Sequence, residues 1–159
     1  AVSSFVDKVS RIWPTMALGL DLLTGFPGES EAAFQTTADF LAALPLTYAH
    51  VFPYSRRQGT PAARLPEQLP RDVKSARAKI LRDVAEAKSA RFLDRLTGEP
   101  VLSVALERTA PTVGTCGHYV DCLFETEPGG ALGSLVAARP VGRQGAMLRV
   151  VPLAQAGQP

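Results

Sequence analysis

The sequence is poor in residues that often carry chemistry on their own: two cysteines, two histidines, two methionines and one tryptophan in 159 residues, with 7% aromatics. Cys116 and Cys122 cannot build a disulfide framework, and their C-x5-C spacing is not a usual structural zinc or redox pattern. They read as small apolar strand residues, and no metal ligands are expected. No apolar run approaches the ~18 residues of a membrane span and no signal peptide is visible, so the expectation is a cytoplasmic, reducing location without a membrane partner. What is present, 46% hydrophobic residues, suffices for a packed core and excludes wholesale disorder.

The net charge of +2 hides a segregation. Residues 56–97 hold 11 of the 17 Lys+Arg and 5 of the 15 Asp+Glu, a net of +6, and the remainder is net −4. A basic middle therefore lies between acidic flanks.

Phe5, Val6, Val9 and Ile12 fall at helical spacing up to Pro14. Met16 to Thr24 is nearly continuous apolar residue, which predicts a strand buried on both faces. Gly25-Phe26-Pro27-Gly28-Glu29-Ser30 predicts a tight turn, with Ser30 as N-cap of a helix from about Glu31 to Ala43 that buries Phe34, Thr37, Ala38, Leu41 and Leu44. Tyr48 to Tyr54 is aromatic and β-branched, hence strand-like. Strand, helix and strand with short connections make a βαβ unit with a parallel sheet. Two strands do not make a stable domain, and 159 residues fall short of the ~250 of a complete (β/α)8 barrel, so more strands are expected upstream. The chain opens on Ala1 within what reads as a helix, and the expectation is a C-terminal piece of a longer protein.

Residues 55–70 read as an ordered loop. A helix from Arg71 to Leu96 follows, with Val73, Ala76, Ile80, Val84, Ala87 and Leu93 near one face and Gly98 as its C′ glycine. Then Val101 to Leu106, His118 to Glu125, Leu132 to Ala138 and Ala146 to Val151 are short β-type runs between Gly/Pro turns, as in a small antiparallel barrel. The boundary between the two parts falls near Thr97 to Glu99.

The series Asp21-Leu22-Leu23-Thr24-Gly25-Phe26-Pro27-Gly28-Glu29-Ser30-Glu31, then His50-Val51-Phe52-Pro53-Tyr54-Ser55, then Gly59-Thr60-Pro61-Ala62, resembles the end of the radical-SAM domain of MiaB-type methylthiotransferases. HVFPYS before a G-T-P-A loop and a long basic helix looks most like the MtaB branch, which modifies threonylcarbamoyladenosine in tRNA. From Gly114 to Cys122 onward the chain sits where that family carries a TRAM domain, a small RNA-binding β-barrel. The fold class implied is α/β: the last βα units of a partial TIM-type radical-SAM barrel over residues 1–97, then an all-β TRAM-like barrel over residues 98–155.

The resemblance implies an enzyme using S-adenosylmethionine and two 4Fe-4S clusters, one for radical formation and one in sulfur delivery. The family's C-x3-C-x2-C ligands are absent here, so no catalytic residue is expected in this piece and it is expected to be inactive alone. Site residues carried over are Asp21, Thr24, Gly25, Phe26, Gly28, Glu29, Phe52 and Tyr54 on the cofactor side. On the RNA side they are Arg56, Arg57, His118 and Tyr119, for which solvated arginines and a core-packed Tyr119 are the plain alternatives. His50 reads as structural. Cys116, His118 and Cys122 stand where the family pattern has Thr, Asn and a β-branched residue. Two other readings are an RNA-binding module without catalysis and a related enzyme that methylthiolates a ribosomal-protein aspartate.

Overall fold

Two short parallel strands, β1 (Gly19–Thr24) and β2 (Tyr48–Pro53), carry the first half of the chain, as read from a computed structural model that describes residues 2–153. The register pairs Gly19 with Tyr48, Asp21 with His50 and Leu23 with Phe52. Between the strands runs α2 (Glu31–Ala43), started by Ser30, whose hydroxyl accepts the Ala33 N–H at 3.1 Å. Phe34, Ala38 and Leu41 recur along one face of α2 and, with Leu44, Leu46 and Val51, form a core with Ala78 and Leu81 of α3 (Arg71–Leu96). The loop before α3 contains a short 3-10 turn, Pro61–Arg64, capped by Thr60. α1 (Val2–Ile12) buries Val6 alone, leaving Phe5 and Ile12 exposed.

The second half is a closed five-stranded barrel of β3 (Leu102–Thr109), β4 (Thr112–Cys116), β5 (Asp121–Phe124), β6 (Leu135–Gln144) and β7 (Met147–Pro152), in the order β3-β4-β5-β7-β6. Its core is Val104, Cys122, Ala138, Leu148 and Val150, all fully buried, joined by Phe92, Leu93 and Leu96 from the end of α3. The chain thus divides into two compact units: α1 with Leu18–Ser89, and Trp13–Ala17 with the residues from Ala90 on. The division falls inside α3, whose last turns pack with the barrel.

Several expectations are corrected. β1 begins at Gly19, not Met16, and is buried on one face only, with Asp21 and Leu23 exposed. The buried side of α3 is Arg77, Ala78, Leu81, Ala85, Phe92, Leu93 and Leu96, while Ala76, Ile80 and Ala87 are exposed. Gly98 does not adopt a left-handed cap; i→i+3 bonds from Gly98 N–H to Arg95 O and from Glu99 N–H to Leu96 O tighten the helix end instead. The barrel is not wholly antiparallel, since β5 and β7 run parallel. It has five strands where four runs were expected, and residues 118–120 form a turn outside any strand.

Candidate functional site

Thr24, the last residue of β1, is 1% exposed, and its hydroxyl donates to Glu29 Oε1 at 3.2 Å. The Gly25 N–H donates to Glu29 Oε2 at 3.0 Å, so the Glu29 carboxylate folds back and closes the turn it follows. Gly25 and Gly28 both take positive φ, +75° and +80°, which glycine adopts without Cβ penalty. From α3, Arg77 reaches in: Nη1 donates to Glu29 Oε1 at 2.6 Å and Glu29 O at 2.8 Å, and Nη2 donates to Glu31 Oε2 at 2.9 Å. Burial works against the charge of this guanidinium, but the Glu31 and Glu29 carboxylates outweigh it and hold its pKa above the ordinary value.

The end of β2 lies beside this turn, with the Tyr54 N–H donating to Thr24 O at 2.8 Å. The Phe26 and Tyr54 rings meet edge to face at 5.4 Å, and Lys74 Nζ stands 5.6 Å from the centre of the Tyr54 ring. Along the open face of the sheet, Tyr48, His50 and Phe52 form a ladder with ring separations of 5.5 and 6.3 Å. His50 is therefore a surface residue of that face, and Phe52 and Leu23 beside it are half exposed.

Of the residues expected on the cofactor side, Asp21, Phe26, Gly28 and Phe52 are exposed and offer an acid, two rings and a glycine backbone, whose own N–H already donates to Glu67 O at 3.1 Å. Thr24, Glu29 and Tyr54 are tied into the scaffold, the first two by the hydrogen bonds above and Tyr54 by burial. The residues present thus fit a planar ring lying against the exposed Phe26 and Phe52, as the adenine of S-adenosylmethionine is, with Asp21 near to accept from an amine. They do not fit an iron-sulfur cluster: both cysteines are buried in the barrel, and among the described residues no three His, Cys, Asp or Glu side chains converge. The hydrogen bond with Cys116, and then burial, push the Cys122 thiol well above its usual range.

Arg56 and Arg57 follow β2 and are exposed; Arg56 Nε donates to Ala63 O at 2.9 Å. In the barrel, Tyr119 sits on the turn between β4 and β5 with φ +56° and is 78% exposed, so it is not a core residue. His118 turns the other way, its ring 6.2 Å from Phe92 and its Nδ1 buried without a partner. The residues missed by sequence reasoning are Arg71, Lys74 and Arg77. They were visible only as three of eight cations in α3, and the sequence does not mark which of these faces the turn.

No protein-family model matches the chain. It is 41% identical over 101 residues to the threonylcarbamoyladenosine tRNA methylthiotransferase MtaB of Rickettsia prowazekii, covering 64% of this chain and 24% of the relative. It is 37% identical over 140 residues to the tRNA-2-methylthio-N(6)-dimethylallyladenosine synthase of Opitutus terrae, covering 84% and 28%. The chain is a relative of the MtaB- and MiaB-type tRNA methylthiotransferases. Against MtaB of Aquifex aeolicus the identity is 37% over 94 residues, 59% of this chain and 23% of the relative. The chain spans about a quarter of the length of the curated relatives it matches. Among the described residues no helix is long and apolar enough to cross a membrane.

Proposed function

We propose that this chain forms the cofactor- and substrate-side end of a tRNA methylthiotransferase, of the branch that adds a methylthio group to C2 of N6-threonylcarbamoyladenosine next to the anticodon. The carrying observation is the strand-end arrangement: the Gly25–Gly28 turn, clamped by Glu29 and Arg77, lies beside the end of β2 in a chain 41% identical to an MtaB protein. Ligand sites of parallel-strand barrels lie at the carboxyl ends of their strands, which is where these two segments are. In this reading residues 1–97 are the end of a radical-SAM domain and residues 98–155 a TRAM-like barrel, residues 1, 154 and 155 lying outside the described residues. Asp21, Phe26, Gly28 and Phe52 face S-adenosylmethionine, while Thr24, Gly25, Glu29 and Tyr54 hold that surface in shape. Arg56, Arg57 and the exposed Tyr119 meet the tRNA. The clusters' cysteines lie outside this chain.

The test is nucleoside mass spectrometry of tRNA from a strain lacking the gene. Loss of 2-methylthio-threonylcarbamoyladenosine is expected. Loss of the 2-methylthio-dimethylallyl nucleoside instead assigns the other tRNA branch, and unchanged levels of both sink the tRNA reading.

A further inference from the structure

Behind the end of β2 lies a cavity of about 460 Å³ whose walls include Tyr54, Ser55, Arg56, Arg71, Lys74 and Ser75. Three of those six side chains are cationic, the other three carry hydroxyls, and among the described residues no carboxylate lines the cavity. None of the three cations is in an ion pair among the described residues, whereas Arg77 and Lys79 on the same helix are both paired. Unpaired like charges gathered in one concavity repel one another, and a bound anion relieves this.

A second observation points to a ligand independently of the charge. Tyr54 is 8% exposed, and its hydroxyl is buried without a hydrogen-bond partner. Buried hydroxyls are normally paired, so this one, on a residue of the cavity wall, is a donor without an acceptor among the described residues. Lys74, over the face of the same ring, is drawn to the cavity side. α3 starts at Arg71, so the positive end of a 26-residue helix also contributes to this region. Arg56 is anchored through Nε to Ala63 O, which fixes the guanidinium while its Nη atoms make no hydrogen bond among the described residues.

We propose that this cavity is a binding site for a phosphate-type oxyanion, with Arg56, Arg71 and Lys74 supplying charge and Tyr54, Ser55 and Ser75 supplying hydroxyl donors. It is large enough for a phosphoryl group together with part of the molecule that carries it. Arg56 is also a wall of a second cavity, about 470 Å³, that includes Arg64 and Gln58, so two cationic recesses adjoin. The phosphate is then either a phosphodiester of RNA or a phosphorylated small molecule. The site deepens the proposed function if RNA is the source, and stands without it otherwise.

The test is calorimetric titration of the 159-residue chain with inorganic phosphate at constant ionic strength, alongside fluorescence anisotropy with a labelled RNA hairpin. Saturable phosphate binding is expected, weakened about tenfold or more by Arg71→Ala and by Lys74→Met, which keeps the stem against Gly25. Tyr54→Phe, which removes one hydroxyl from a wall it otherwise preserves, weakens binding several-fold. Lys79→Ala removes an equal charge outside the cavity and leaves phosphate binding unchanged. Parallel loss of hairpin binding, with phosphate competing, assigns RNA as the source; loss of phosphate binding alone assigns a small molecule. Absence of saturable phosphate binding, or equal weakening by Lys79→Ala, overturns the site. Neither result depends on the nucleoside mass spectrometry above, so failure of the methylthiotransferase reading is separately visible.

Discussion

Arg77 is the least expected residue of the α/β unit: a guanidinium 6% exposed, anchored by two carboxylates and one carbonyl. Its stem side also serves packing, with the guanidinium carbon 5.0 Å from the centre of the Phe34 ring. Removing it leaves Glu29, whose side chain is 15% exposed, without its cation. Breaking a buried pair in this way costs about 3 kcal/mol, so Arg77→Ala should lower the urea midpoint clearly at unchanged slope. A loss under about 1 kcal/mol would show that the turn is held by Thr24 and Gly25 alone. Such a residue is invisible in the sequence because a buried cation and a solvated one look alike until their partners are known. Glu29, by contrast, was legible as part of the turn, which its carboxylate closes by accepting from Thr24 and Gly25.

At the level of elements, legibility followed locality. The helix Glu31–Ala43 begins at its Ser30 cap and stops before Pro45, and Arg71–Leu96 begins directly after Pro70, since those signals act within a few residues; the end of the second was read from Gly98, which does not cap it. β4 was lost because Gly114 looks like a turn residue. In the fold it is a strand residue at a close approach, where an added Cβ would lie 2.2 Å from Ala105 O on the neighbouring strand. The face of α3 was misjudged for a related reason. Its 26 residues mix apolar and charged side chains without a clean stripe, and Ile80 lost to Leu81 only through packing with Phe34 and Leu41. Leu81→Ala should therefore cost about 2–5 kcal/mol, and Ile80→Ala, at 47% exposure, well under about 1 kcal/mol. Paired chemical denaturation curves decide it, and equal losses would restore the stripe read from the sequence.

The whole molecule has two cores with no residue in common, and both cysteines lie in the barrel. Cys122 keeps its proton in the folded barrel beyond the pH at which a free thiol loses it, because of its hydrogen bond with Cys116 and its burial. Below the unfolded value of about 8.5 Cys122 holds its proton in both states and contributes no slope of its own. Above it the unfolded chain ionises while the folded one does not, so stability falls by up to about 1.4 kcal/mol per pH unit. Urea unfolding followed by NMR between about pH 8.5 and 9.5 should show this slope for signals of β3–β7 and not for those of β1, β2 and α2. The variant Cys122→Ala, less stable throughout, should lose the slope; if it persists, another group is responsible.

The strand order of the barrel also dictates a sequence of events. β7 is the last strand of the barrel to be made, yet it lies between β5 and β6, pairing with one in parallel and the other antiparallel. Until it arrives, β3, β4 and β5 can form a meander and β6 can dock on β3, but each end of that array has an open edge. Closure during synthesis therefore waits for Met147–Pro152. A nascent chain stalled before that strand displays two open edges at once, which the closed barrel does not.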